Sequence, residues 1–118
     1  MHPEHQLQAV CYKWFNMQYP EYRGLLFAVP NGGGRCRVEA ALLKAEGVVA
    51  GVADMLLLVP ASGFAGLCIE FKADNKTARQ SQAQKKWESI INKHKAYKYV
   101  IIRTFDDFRK LIISYLAL

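Results

Sequence analysis

Three ionisable side chains stand at the ends of apolar runs, where a charge is costly unless something binds it. Asp54 opens the run Met55-Leu56-Leu57-Leu58-Val59, and Glu70 and Lys72 close the run that starts at Phe64. The break at residues 60–63 is short and contains Pro60 and Gly63, so the two runs should form an antiparallel hairpin. That pairing brings Asp54 near Glu70 and Lys72. Side chains alternate across a strand, which puts Ile69 and Phe71 on one face and Cys68, Glu70 and Lys72 on the other. The apolar pair anchors the strand while Glu70 and Lys72 project together. Carboxylate oxygens suit a hard divalent cation such as Mg²⁺, and a lysine beside them can position a water or stabilise charge on a phosphate. A strand end meeting solvent is the plainer account of a bare Glu-x-Lys; the acid at position 54 argues against it here.

The flanking elements determine what else reaches that space. Pro3 and Glu4 open a helix with Leu7, Val10, Cys11 and Trp14 at helical spacing, and Pro20 stops it. Glu4 precedes Leu7 by three residues, so it either begins the inward stripe or stays at the surface as an acid favoured by the helix dipole. Residues 25–29 form a short apolar strand. Pro30-Asn31-Gly32-Gly33-Gly34 is a loop whose glycines either let backbone approach a phosphate or merely connect. It is not a Walker loop, because no Gly-Lys-Ser/Thr follows. Residues 35–46 read as a helix with Val38, Ala41, Leu42 and Ala45 inward and Gly47 as its stop.

After the hairpin strands at 54–59 and 64–73, a polar turn leads to a helix over 78–94, with Ala83, Trp87, Ile90 and Ile91 marking its inner face. Gln84 belongs to that face and needs partners, supplied either by Glu70 and Lys72 or by backbone. Arg79, Lys85, Lys86, Lys93 and Lys95 cover the remaining faces, as solvated surface or as a track for phosphates. A strand follows over 97–103. Thr104 then caps a last helix, with Asp107 at its third position and Phe108, Leu111, Ile112 and Tyr115 inward. The order is α-β-α-β-β-α-β-α, an α/β chain.

At 118 residues the chain is long enough for one domain with a real core, and 52% hydrophobic against 22% charged residues fits a folded globular protein. The formal charge of +6 favours an anionic partner, nucleic acid before membrane surface. Cys11, Cys36 and Cys68 cannot all pair and show no zinc spacing, so they read as reduced thiols. The first residues lack an apolar signal core, and no apolar run is long enough to span a bilayer. These features point to a soluble, cytoplasmic protein without a membrane partner.

Asp54, Glu70-x-Lys72 and an inward Gln84 on the next helix resemble the PD-(D/E)XK nuclease superfamily. More narrowly, the chain resembles the virus-type replication-repair nuclease (VRR-NUC) domain. The matching pieces, in the family's order, are Glu4, Pro30-Asn31-Gly32-Gly33 with Arg35 behind it, and Leu43-Lys44-Ala45-Glu46-Gly47-Val48. Then come Gly51-Val52-Ala53-Asp54, Glu70-Phe71-Lys72 and Ser81-x-x-Gln84-x-x-Trp87. They span nearly the whole chain, 1–118, read as a single domain with a mixed central sheet of about four strands flanked by helices.

The resemblance implies a Mg²⁺-dependent phosphodiesterase acting on DNA, with Mn²⁺ able to substitute. Asp54 and Glu70 would hold the metal with the backbone carbonyl of Phe71, and Glu4 would complete the shell directly or through water. Lys72 would orient or activate the attacking water, and Gln84 would steady the lysine, the water or the phosphate. Asn31, Gly32, Gly33, Arg35, Lys85 and Lys86 would meet the DNA. Stand-alone members resemble dimeric endonucleases of branched DNA such as Holliday junctions, in repair and recombination. A virus-encoded copy would work in the host cytoplasm. Contact material for a homodimer is present in Trp14, Phe15, Met17 and Tyr19 on the first helix and Ile113, Tyr115 and Leu118 on the last. Two departures stand out: Ala53 replaces the proline of the superfamily name, and His94-Lys95-Ala96 replaces a turn where the family often has glycine.

The alternative is a module that binds nucleic acid without catalysis, through the same basic surface. It gives no reason for Asp54 and Glu70 to face a phosphate. A structural protein with solvated charges predicts only loose, salt-sensitive association with DNA.

Overall fold

The structure, a computed structural model, describes residues 2–30, 37–72 and 79–117. Helix α1 spans Pro3–Gln18 and is followed by a 3₁₀ turn at Pro20–Tyr22. Strand β1 (Leu26–Ala28), helix α2 (Arg37–Ala45), the hairpin strands β2 (Met55–Leu57) and β3 (Gly66–Phe71), helix α3 (Gln82–His94), strand β4 (Tyr97–Ile102) and helix α4 (Phe105–Leu116) complete the chain. This is the expected element order. The four strands lie side by side as β1-β2-β3-β4, antiparallel except for the parallel β3/β4 pair, so the sheet is mixed. Among the described residues no helix is long and apolar enough to cross a membrane.

The hairpin tip is one residue out of step with the β2/β3 ladder, because one extra residue lies between Leu57 and Ala61 on the β2 side. Ala61 and Phe64 exchange both backbone hydrogen bonds, at 3.0 and 2.8 Å, around Ser62 and Gly63, which both have positive φ. Two left-handed residues at the tip match the twist of antiparallel strands. The Ser62 hydroxyl donates to the Tyr115 carbonyl and the Tyr115 hydroxyl donates to the Val59 carbonyl, each at 2.7 Å. These two bonds fasten the end of α4 to the hairpin.

One face of the sheet carries the core. Leu26, Met55, Leu57, Leu67, Ile69 and Phe71 pack there with Cys11 and Phe15 of α1 and Phe108, Ile112 and Tyr115 of α4. The stripe on α1 is turned from the expected one. Leu7, Cys11 and Phe15 recur four apart and point inward, whereas Val10 is 53% exposed. Trp14 keeps its expected place against the core, beside the fully buried Phe15.

Helix α2 departs further from expectation. It ends as predicted, with Gly47 in a left-handed conformation and its N–H and that of Val48 bonded to the carbonyls of Lys44 and Leu43. Its apolar stripe is not inward: Val38 is 69% and Leu42 59% exposed, and Ala41 and Ala45 are exposed as well. Apolar periodicity specifies that a helix has an apolar side; it does not specify what covers that side.

Candidate active site

Strand register assembles the acids. Met55 pairs with Ile69 and Leu57 with Leu67, so the pairing extended by one residue sets Asp54 opposite Glu70. Glu70 points away from the α1/α4 core, to the face beneath α3, and Asp54 lies between it and the N-terminal turns of α1. Asp54 is held twice: its Oδ2 accepts the Phe71 N–H at 2.7 Å and its carbonyl accepts the Val29 N–H at 2.8 Å. Glu70 is fully buried. Its Oε1 accepts a hydrogen bond from the Tyr99 hydroxyl, and its Oε2 is buried without a hydrogen-bond partner among the described residues.

Both carboxyls are held above their usual range. For Asp54 burial is the main cause, opposed by the Phe71 N–H and by Lys72, with the charge of Glu4 adding to the rise. For Glu70 burial again dominates, the Tyr99 bond and Lys72 oppose it, and Asp54 raises it further. Two like charges drawn from water, one with a bare buried oxygen, are the setting a cation relieves. The donors are hard oxygens, which fit a divalent ion of the Mg²⁺ class.

Lys72 sits one residue past β3, its backbone N–H bonded to the Ile102 carbonyl at 3.0 Å. Its Nζ donates to Gln84 Oε1 at 2.9 Å. The two readings of Gln84 both hold. The same oxygen accepts the Ser81 N–H at 2.8 Å, and the Ser81 hydroxyl accepts the Gln84 N–H at 3.2 Å, a reciprocal cap on α3. The helix terminus therefore fixes the glutamine that receives the lysine. Gly51 sets the terminus in place: it has φ +86°, and a Cβ there would lie 2.2 Å from the Ala83 carbonyl oxygen. Only glycine lets the approach to Asp54 run this close to α3.

The structure thus brings Asp54, Glu70, Lys72 and Gln84 together as expected. Glu4 lies near enough to Asp54 for its charge to act there, yet among the described residues no three His, Cys, Asp or Glu side chains converge as a ready metal cage. Asn31, Gly32, Gly33 and Arg35 lie outside the described residues. Lys85 and Lys86 are exposed on α3, directly after Gln84.

Tyr99, Gln80 and His5 escape the sequence reading. Tyr99 shares the Glu70 face only because β4 runs parallel to β3, with Tyr99 opposite Cys68 and Ile101 opposite Glu70. A tyrosine in an apolar strand was the available signal, since its hydroxyl needs a partner when buried. His5, together with Gln8 of α1, lines a cavity of about 430 Å³ that Asp54 also borders.

No protein-family model and no curated protein matches the chain. Among solved structures, one named "VRR_NUC domain protein" superposes with a TM-score of 0.78 at 26% sequence identity, over 98% of this chain and 88% of that one. The likeness takes in every element described above and agrees with a PD-(D/E)XK-like fold.

Proposed function

We propose that this VRR-NUC domain, 1–118, is a metal-dependent DNA endonuclease that hydrolyses phosphodiester bonds, with Mg²⁺ as its ion and Mn²⁺ as a substitute. The observation that carries the reading is Glu70: a buried carboxylate opposite Asp54 with one oxygen bonded and the other bare. Asp54, Glu70 and the carbonyl of Phe71 would hold the ion, with Glu4 completing the shell directly or through water. When bound, the ion supplies charge neutralisation at the phosphate and acidifies a water. Lys72, aimed by Gln84, holds that water or the phosphoryl oxygens in position. The capped terminus of α3 prevents Gln84 from drifting, so the lysine arrives pre-oriented. Exposed Lys85 and Lys86 continue from this site along α3 and suit the phosphates of the flanking strand.

The finer proposal is selectivity for branched DNA, four-way junctions included, cut by a homodimer with one site per subunit. The expected contact material is partly engaged already. Phe15 and Tyr115 belong to the chain's own core, and Trp14 and Tyr19 pack against it. Met17, 67% exposed, and Ile113, 47% exposed, keep the proposal on α1 and α4, and Val38 and Leu42 of α2 add to it.

The test is cleavage of single-stranded, duplex, flapped and four-way-junction DNA with Mg²⁺, Mn²⁺ or EDTA, beside sedimentation of the same protein at micromolar concentration. Metal-dependent cutting is expected, with Lys72→Ala slower by about a hundredfold or more while retaining metal. Cutting undiminished in EDTA sinks the catalytic reading. DNA binding without cutting under any metal would favour the binding module, which the +6 charge equally serves. A monomer that cuts junctions in symmetrical pairs removes the dimer.

A further inference from the structure

Tyr99 makes a contact that a simple two-carboxylate site does not require. Its hydroxyl donates to Glu70 Oε1, and its ring lies 5.9 Å from that of Trp87 on α3. Gln80 lies near Glu70 and Tyr99, and its Nε2 donates to Glu88 Oε1 at 2.9 Å. The tyrosine is therefore held by its aromatic neighbour and by the carboxylate it meets. Across the carboxylate, Oε2 is buried with no partner among the described residues.

A carboxylate can meet a cation through one oxygen or chelate it through two. Here Oε1 has one lone pair engaged by the Tyr99 hydroxyl. Oε2, with no partner among the described residues, is the oxygen freer to meet an ion. Ca²⁺ takes six to eight oxygens and readily accepts a chelating carboxylate, whereas Mg²⁺ demands a near-ideal octahedron and keeps several waters. We propose that Tyr99 makes Glu70 a one-oxygen ligand and in this way biases the site toward Mg²⁺ over Ca²⁺. Tyr99 is a positioning residue: it acts through Glu70 and touches neither ion nor substrate. The inference rests on the reading that Asp54 and Glu70 hold a divalent ion, and its test separates the two claims.

Mg²⁺ and Ca²⁺ binding would be measured by calorimetry on the full chain as wild type, Glu70→Gln and Tyr99→Phe. The phenylalanine keeps the ring against Trp87 and removes only the hydroxyl, so an unchanged circular-dichroism spectrum is expected, with a melting temperature somewhat lowered by the buried oxygen that loses its donor. In Tyr99→Phe the preference for Ca²⁺ relative to Mg²⁺ should rise by about tenfold, the usual scale for loss of a ligand's outer partner. A ratio within about twofold of wild type, in a folded variant, overturns the role of Tyr99 while leaving the ion site in place. Wild type that shows no cation binding dependent on Glu70 overturns both claims. Infrared spectra provide a reading that needs no tyrosine variant: in the difference between Mg²⁺-loaded wild type and Glu70→Gln, the carboxylate stretches should show the wide splitting of one-oxygen ligation. The narrow splitting of a chelate would refute the proposal.

Discussion

The two faces of β3 are built from the same six residues yet have opposite characters. Every position of the strand is buried. On the α1/α4 face Leu67, Ile69 and Phe71 join one continuous apolar cluster, and the Phe71 and Phe108 rings lie 6.2 Å apart. On the α3 face Cys68 and Glu70 look toward a helix none of whose residues is buried. An apolar cavity of about 190 Å³ lies there, bordered by Leu56, Leu58, Cys68, Trp87, Ile91 and Tyr97. Burial pushes the Cys68 thiol up to about 11. The first face gains dispersion and area removed from water. The second gives up packing to bring two acids, a lysine and a tyrosine into contact. A strand clamped firmly on one side can carry destabilising groups on the other and still hold them in register.

Substitutions in adjacent residues should separate these roles. Phe71→Ala opens a cavity beneath the sheet and should cost about 3–5 kcal/mol, measured by denaturant unfolding. Glu70→Gln removes a charge that burial disfavours, so it should leave the melting temperature unchanged or higher while abolishing metal-dependent cutting. Equal destabilisation by the two would show that the faces are not specialised. Gly51→Ala addresses the border between the hairpin and α3. Its Cβ would strike the Ala83 carbonyl at a positive φ, with an expected loss of about 1–3 kcal/mol. Because the strain falls on the turn that presents Gln84, activity should drop further than stability predicts. Cutting at the wild-type rate would mean that the Lys72–Gln84 contact is dispensable. The smallest effect lies at the far end of α3, where Lys95 closes the helix at φ 59°. This is the turn where glycine was the residue to expect. Lys95→Gly relieves the left-handed strain but adds freedom to the unfolded chain, for a net gain of up to about 1 kcal/mol. Thermal unfolding should register it with no change in cleavage, and a loss of stability would count against strain at this position.

Much of the architecture was legible because it depends on local rules. Apolar runs of strand length, helix stripes, Thr104 as a cap and Gly47 as a stop each act within a few residues. Alternation along β3 assigned Glu70 and Lys72 to the face opposite Phe71, and the short turn ensured that Asp54 would meet them. The failures share a cause as well. Val10 and Val38 look like core residues by spacing, but exposure depends on which neighbour arrives, and spacing carries no information about neighbours.

By itself, then, the sequence determined the elements, the hairpin, and the two carboxylates and lysine at one end of it, since a short turn returns the second strand beside Asp54; the exact register came from the extra residue between Leu57 and Ala61. The tertiary structure alone decided that Tyr99 would grip one oxygen of Glu70 and leave the other bare. Three conditions meet in that contact: the parallel register of β4 on β3, the placement of Trp87 by α3, and the depth at which Glu70 is buried. Each depends on residues far apart in the chain, brought together only when the sheet and its helices close on one another.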